Sequence, residues 1–431
     1  MKVYFIVLDG ASDLKIKELN NLTPLAKAIT PSLDWLAKNS QQSMISVIDN
    51  DICPESDSGA MSLLSYDPLL YYPGRGTLEG LGTGFIPRGF NFVAFRVNFA
   101  SYDKKRDVLD RRTSRGLSDK ELQALGKSIT EGLDFQKLGY DIDFKLLAFG
   151  HHRGILCFFS KSVKLSGHVS NTDPGFKKNG YFGFPVKNYV PKLLECEALD
   201  NTAAAKVTAK LVNIFQLESN KILESHPVNI KRTEQGKMLS NVLLIRDGGT
   251  NPVKFPQFRD KFDMNLSIYG QLPAEKAIGD LIGERFYYSK GFDLQLDKDY
   301  LNNMAEKLIV DKTDVVFFHV KGPDEPGHDG LPEKKIEAIE FIDKYFFSKL
   351  LLGIKASDIV IVTCDHSTPC ELGIHSSDPV PLMIYSEKLK SDGLAKFSEL
   401  HAIRGSLGIK KGIEILPFIA NNLMKKKHEN Q

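Results

Sequence analysis

The chain has 431 residues, with 56 Lys+Arg against 54 Asp+Glu and a formal net charge of +2. A hydrophobic content of 42% with 26% charged residues is enough to bury a large core, which excludes disorder as the main state. The near-neutral balance argues against a dedicated nucleic-acid binder, which would carry a basic face, and the length points to two domains or three.

In chain order, the first element is the continuously apolar run Val3–Leu8, which ends at Asp9-Gly10. Thr23-Pro24-Leu25-Ala26 and Pro31-Ser32-Leu33 each open a helical pattern. Pro54-Glu55-Ser56-Asp57-Ser58-Gly59 reads as a loop entering another helix. Ser118-Asp119-Lys120-Glu121 is a capping box. Residues 141–149 and 154–159 flank Gly150-His151-His152-Arg153 as an antiparallel hairpin, and a helix covers 203–215 after Asn201-Thr202. The apolar runs then return. Val315–Val320 leads to Asp324, a helix spans 333–350, and residues 359–362 lead to Asp365-His366. Continuous rather than alternating hydrophobicity marks strands buried on both faces of a parallel sheet. The fold class is therefore α/β, a doubly wound sheet built from residues 1–84 and 266–431, with an inserted α+β domain over 85–265.

The five cysteines form no C-x-x-C pair and are odd in number, as expected of free thiols in a reducing cytoplasm. The N-terminus meets Asp9 too soon for a signal sequence, and no stretch approaches the roughly 20 apolar residues of a membrane span. The biased tail 425–431 reads as a solvated end.

Acids and imidazoles collect where the apolar runs stop, the side of an open α/β sheet where ligands bind. Asp324 and His328 are four apart and can share one side of a turn; His375 follows Asp365 and His366. Such sets suit divalent ions. Asp365 and His366 are adjacent, so their side chains are expected to diverge and to serve a different ion from Asp324 and His328. A serine at the start of the helix, with Ser58 and Ser62 as competitors of Ser56, could be a metal-activated nucleophile or merely a helix cap. His319 reads as a hydrogen-bonded strand residue, Cys364 and Cys370 as packing residues, and His151 and His152 as surface turn residues. Lys321 is open between a phosphate contact and a strand end, and His168 between a substrate contact and a solvated loop.

The ordered set Asp9-Gly10, Thr23-Pro24-Leu25, Thr30-Pro31-Ser32-Leu33, Pro54-Glu55-Ser56-Asp57, Tyr66-Asp67-Pro68 and Tyr72-Pro73-Gly74-Arg75-Gly76 continues through Leu78-Glu79, Phe95-Arg96-Val97-Asn98-Phe99-Ala100 and Asp110-Arg111-Arg112. It ends with Asp324 to Gly330, Asp365 to Cys370 and His375 to Pro381. Together these segments resemble the archaeal-type cofactor-independent phosphoglycerate mutases of the alkaline phosphatase superfamily. The resemblance implies an alkaline-phosphatase-like sheet with an inserted α+β cap that closes as a lid. It implies a cytoplasmic isomerase of glycolysis and gluconeogenesis that interconverts 3- and 2-phosphoglycerate, with Ser56 as the nucleophile that becomes phosphoserine. Asp9, Ser56, Asp365 and His366 would hold one divalent ion and Asp324, His328 and His375 a second, either being Mn, Zn, Mg or Co. Arg111, Arg112 and Arg115, with Asp173 and Arg246, would bind a small phosphorylated acid. Neither nucleic acid nor membrane is an expected partner, and a homo-oligomer is left open.

The chain also departs from the family. Gly175 stands where an Asp-Pro-His histidine is usual, Asp247 follows Arg246 where glycine is usual, and Ser289-Lys290-Gly291-Phe292 lacks a Gly-Ala-Thr-Gly segment. A family lysine falls at Asn303, with Lys298 or Lys307 as substitutes. These departures keep two alternatives in view: a metal-dependent phosphohydrolase or a mutase for another phosphate ester, and a non-catalytic binding protein.

Overall fold

The computed structural model describes residues 1–87, 89–150, 152–289 and 297–424, without the side chains of Thr113 and Arg115. The expectations for His151, for Lys290-Gly291-Phe292, for the Arg115 side chain and for the tail lie outside the described residues. The chain divides into two compact units, Met1–Tyr72 with Lys254–Gln431, and Pro73–Val253. Both divisions fall earlier than the sequence places them. The helix Arg75–Gly82 belongs with the inserted unit because it packs on that unit's long strand, so closely that a Cβ on Gly76 would meet the Ala94 carbonyl at 2.5 Å. Phe255 belongs with the first unit, its ring 5.8 Å from Tyr66 and 4.9 Å from Tyr71.

The strands, in chain order, are β1 (Val3–Leu8) and β2 (Ser40–Ile45), then β3 (Asn91–Asp103), β4 (Val108–Asp110), β5 (Asp143–Phe149), β6 (Arg153–Ser160), β7 (Phe176–Asn179), β8 (Phe182–Pro185) and β9 (Val242–Gly249). They end with β10 (Leu266–Gly270), β11 (Arg285–Tyr288), β12 (Val315–Val320), β13 (Ile359–Thr363) and β14 (Val380–Tyr385).

The first unit is built on a seven-stranded sheet of order β11-β10-β12-β1-β13-β14-β2. The five strands from β11 to β13 run parallel, and β14 runs antiparallel to both its neighbours. Every residue of β1, β12 and β13 is buried, which is why these segments read as unbroken apolar runs. Val7 pairs with His319 on one side and Thr363 on the other. Three parallel strands in this register end together at the centre of the sheet, so the residues after them emerge side by side.

The loop after β13 is anchored from below. Lys335, on the helix Pro332–Ile342, is fully buried and donates to the Ser12 and Thr368 carbonyls and to Asp13 Oδ2 at 2.8 Å. Asp13 in turn accepts from the Cys370 backbone N–H. All five cysteines are buried free thiols. No helix among the described residues is long and apolar enough to cross a membrane.

The inserted unit is a second, antiparallel sheet. β3 pairs with β6 and β9 along its length and with β4 at its end, and β5 pairs with β6 as the expected hairpin. The capping box opens the helix Asp119–Gly132, and the helix after Thr202 runs further than its sequence pattern, over Ala203–Glu224. Leu122, Leu125 and Ile129 of the first helix and Leu211, Val212 and Phe215 of the second share one core with Phe95, Phe135 and Phe158 of the sheet side.

Replacing Lys335 by Ala leaves the Asp13 carboxylate buried without its partner. The expected loss is about 3–5 kcal/mol of stability, seen as a lower urea midpoint for the first unit; a midpoint at the wild-type value would refute the anchoring role.

Candidate active site

The carboxyl ends of β1, β12 and β13 deliver Asp9, Lys321 with Asp324, and Asp365 with His366 to one place. Gly10 makes the approach possible. Its φ is +56°, and a Cβ there would meet Asp324 Oδ1 and Thr368 Oγ1, each at 2.6 Å. The Asp365 carboxylate is fixed through one oxygen only: Oδ1 accepts from the Gly10 and His366 backbone N–H groups at 3.0 and 3.1 Å. Oδ2 is buried with no hydrogen-bond partner among the described residues.

Ser56 opens the helix Ser56–Leu63 and is 7% exposed. Its hydroxyl lies 3.2 Å from Asp9 Oδ1 and 3.4 Å from His366 Nε2. The competing serines are structural. Ser58 Oγ accepts from the Glu55 backbone N–H in a capping box, and the buried Ser62 hydroxyl donates to the Val47 carbonyl. Asp57 is turned away, accepting from the Tyr72 hydroxyl at 2.9 Å.

Asp365 and His366 do not diverge as expected. His366 Nε2 lies 3.2 Å from Asp365 Oδ2 and 3.5 Å from Asp9 Oδ1. Strand alternation has already ended at Thr363, and the turn that follows brings both neighbours to the same side. The other expected set also meets. Asp324 and His328 bracket the one-turn helix Asp324–His328, with His328 Nε2 3.4 Å from Asp324 Oδ2, and His375 Nε2 lies 3.4 Å from Asp324 Oδ1. Among the described residues, two groups of such side chains have donor atoms mutually within 4.8 Å: Asp324, His328 and His375, and Asp9, His319 and Asp365.

The hydrogen bonds around the imidazoles decide what these groups fit. His328 Nδ1 faces the Gly373 carbonyl at 3.0 Å, and His375 Nδ1 faces the Pro54 carbonyl at 3.2 Å. A carbonyl only accepts, so in the neutral rings each proton sits on Nδ1 and both Nε2 lone pairs turn inward, 3.1 Å apart. Two such lone pairs repel unless a proton or a metal cation lies between them. Thr368 Oγ1 is 2.6 Å from Asp324 Oδ1, to which it donates, and 3.0 Å from His366 Nδ1, from which it then accepts. The same tautomer follows for His366, with Nε2 facing the orphaned Asp365 Oδ2. Inward lone pairs, carboxylates and a tied-off outer nitrogen are the donor chemistry of a divalent metal site.

Two residues absent from the expected ligand sets belong to this cluster. His319 is fully buried among Asp9, Asp365 and Glu275, and Lys321 Nζ lies 3.1 Å from Asp9 Oδ1. The cue in the sequence was a histidine inside an otherwise apolar strand, a position that burial penalises unless it is paired. Glu275, on the helix Pro273–Ile282, left no such cue. By contrast Asn303, Lys298 and Lys307 are all exposed on the helix Lys298–Val310. The buried lysine near Asp9 is Lys321.

In the inserted unit, Arg111, Asp173 and Arg246 come together. Arg111 makes a two-point ion pair with Asp173, Nε to Oδ1 at 2.5 Å and Nη2 to Oδ2 at 2.8 Å. The guanidiniums of Arg111 and Arg246 lie 5.4 and 3.8 Å from the centre of the Phe176 ring. Gly175 is not a gap. A Cβ there would meet the Arg111 guanidinium carbon at 2.4 Å, so Arg111 occupies the room that the usual histidine side chain would need. Asp247 takes a left-handed φ of +55° and pairs with Arg246 Nη1 at 2.6 Å. Arg112 is exposed, and His168 is half-buried with its ring 4.9 Å from that of Tyr181.

Burial alone would push the imidazoles' pKa values down. The nearby Asp365 carboxylate outweighs this at His366, raised to about 10, and the nearby Asp324 carboxylate outweighs it at His328, raised to about 9. Both are therefore protonated at neutral pH in the metal-free protein, and ligation must release those protons. Divalent-ion affinity measured by chelator competition is expected to climb with pH up to about 9 to 10 and then level; affinity flat with pH would rule out ligation through these nitrogens.

A model of the 2,3-bisphosphoglycerate-independent phosphoglycerate mutase family matches residues 37–229. The mutase of that name from Aeropyrum pernix is 36% identical, covering 97% of this chain and 98% of its own. The one from Methanoculleus marisnigri is 36% identical over 99% of this chain and 98% of its own. Among solved structures, the cofactor-independent phosphoglycerate mutase from Thermoplasma acidophilum is 28% identical, with a TM-score of 0.59 over 97% of this chain and 98% of its own. With 36% identity running nearly end to end in both relatives, this chain belongs to the 2,3-bisphosphoglycerate-independent phosphoglycerate mutase family.

Proposed function

We propose that the chain interconverts 3-phosphoglycerate and 2-phosphoglycerate through a phosphoserine at Ser56. The observation that carries this reading is the Ser56 hydroxyl, buried at a helix N-terminus between Asp9 and His366 and within a carboxylate and imidazole cluster. Asp9, Ser56, Asp365 and His366 are the proposed ligands of one divalent ion, and Asp324, His328 and His375 those of a second. Manganese, zinc, magnesium or cobalt each suits a mixed oxygen and nitrogen set. Bound there, such ions would lower the pKa of the serine hydroxyl and offset charge on the transferring phosphoryl group.

Ser56 Oγ attacks phosphorus; the new Oγ–P bond forms as the ester O–P bond of the substrate breaks, and the proton lost by the serine hydroxyl ends on the released glycerate oxygen. The glycerate turns, its other hydroxyl attacks the phosphoserine, the Oγ–P bond breaks, and the proton of that hydroxyl returns to Ser56 Oγ. The net change moves one phosphoryl group and consumes no water. The positive dipole end at the start of the helix Ser56–Leu63 favours the phosphoryl anion. Arg111, Arg112, Arg115 and Arg246 are the proposed anion-binding set, with Asp173 orienting Arg111 by its two-point pair. The arrangement at Gly175 supports a mutase pocket with an altered partner, because the position is filled by Arg111 rather than left open.

An enolase-coupled assay with added Mn²⁺ tests the reading. Wild type is expected to turn over, chelator to stop it, and Ser56→Ala to reduce it to background, with acid-quenched wild type yielding phosphate on Ser56. Full turnover by Ser56→Ala would sink the proposal, and inorganic phosphate released faster than isomer would make the enzyme a phosphohydrolase. Gly175→His displaces the Arg111 guanidinium and is expected to raise KM roughly 10–100-fold, the weight of one hydrogen bond to a charged group; an unchanged KM would remove Arg111 from the substrate-binding set.

A further inference from the structure

We propose that His319, held by Glu275, is a further metal ligand of the ion bound at Asp9 and Asp365, a role that rests on the reading of that cluster as a metal centre. His319 Nε2 lies 3.4 Å from Asp9 Oδ1 and 3.1 Å from Asp365 Oδ2. His366 Nε2 lies 3.5 and 3.2 Å from the same two oxygens. The two imidazoles thus stand in near-equivalent positions about one pair of carboxylate atoms. Both nitrogens are within ion-pair distance of Asp365 Oδ2, which has no hydrogen-bond partner among the described residues in a fully buried setting. The donor atoms converge on a shared point instead of on one another, as they do around a cation.

Glu275 sets the direction of the His319 lone pair. Its Oε2 accepts from the Gln271 and Leu272 backbone N–H groups at 2.8 and 2.9 Å, which fixes the carboxylate at the start of the helix Pro273–Ile282. Its Oε1 lies 2.5 Å from His319 Nδ1 and accepts a hydrogen bond from that nitrogen's N–H. Nε2 is left as an electron-pair donor toward Asp9 and Asp365. A carboxylate behind an imidazole that faces a cation is the usual support of a ligating histidine. Charge agrees. Asp9, Glu275 and Asp365 bring three negative charges and Lys321, 3.1 Å from Asp9 Oδ1, one positive charge. With neutral imidazoles the remainder matches one divalent ion.

The test is Co²⁺ titration of the full chain, read by metal stoichiometry and by cobalt visible absorption, so that it does not depend on turnover. Wild type is expected to bind two equivalents. His319→Ala is expected to lose tight binding of one equivalent and to change the absorption of that ion alone. Glu275→Gln is the second variant. Its amide oxygen can replace Oε2 on the two backbone N–H groups, which turns the NH₂ toward His319 Nδ1 and forces the proton onto Nε2. Affinity at that site is expected to fall 10–100-fold. Matching thermal unfolding of the metal-free variants and wild type shows that the fold is intact. Two equivalents with wild-type affinity and absorption in both variants would overturn the role of His319 while leaving the metal centre standing. Wild type that binds no ion at all would instead sink the metal centre itself.

Discussion

The first unit is organised around a crowd of buried charge. Asp9, Asp365 and Glu275 are almost wholly withdrawn from solvent, close to Asp324, at the end of a sheet whose strands are apolar on both faces. Carboxylates cannot share such a place without positive charge among them. Lys321 supplies some, and the imidazoles take up protons to supply more: His366 is driven up to about 10 and Asp365 held down at about 2, in each case against what burial alone would do. The cluster is costly unless it holds cations, and its hydrogen bonds prepare it to hold them. Outer nitrogens are tied to Gly373, Pro54, Thr368 and Glu275, and inner nitrogens are left facing one another.

Much of the surrounding structure follows from keeping that crowd in register. The parallel pairing of β1 with β12 and β13 sets three chain segments at one level. Gly10 lets the first of these pass beneath Asp324, and Gly59 lets the Ser56 helix press against the Asp365 backbone, where a Cβ would come within 2.5 Å of the carbonyl. Lys335 and Asp13 brace the loop that carries Asp365, His366 and Thr368. The inserted unit shows the complementary economy of charge. Arg111 and Arg246 each have a carboxylate partner and share the face of Phe176, so the guanidiniums stay ordered.

The two departures that looked most damaging read differently in three dimensions. Gly175 leaves the room that the Arg111 guanidinium occupies, since a Cβ there would meet its carbon at 2.4 Å and displace it. Asp247 adopts the left-handed backbone that a glycine would take for free, and pairs with Arg246 in exchange.

The sequence by itself determined three of the seven strands of the first sheet, β1, β12 and β13, because unbroken apolar runs ending in acids have few other physical readings. It also placed Ser56, Asp9, Asp324, His328, Asp365, His366 and His375 in segments that could meet at strand ends. Only the tertiary structure decided how they meet. Adjacent side chains at Asp365 and His366 converge because a turn replaces the strand after Thr363, and local spacing carries no information about where a strand's last residue falls. Ser56 separates from Ser58 and Ser62 through its partners: it faces Asp9, 47 residues earlier, and His366, 310 residues later, while Ser58 and Ser62 are tied to Glu55 and Val47. His319 and Glu275 were invisible as a pair for the same reason: an imidazole on a strand and a carboxylate on a helix 44 residues earlier become partners through packing alone.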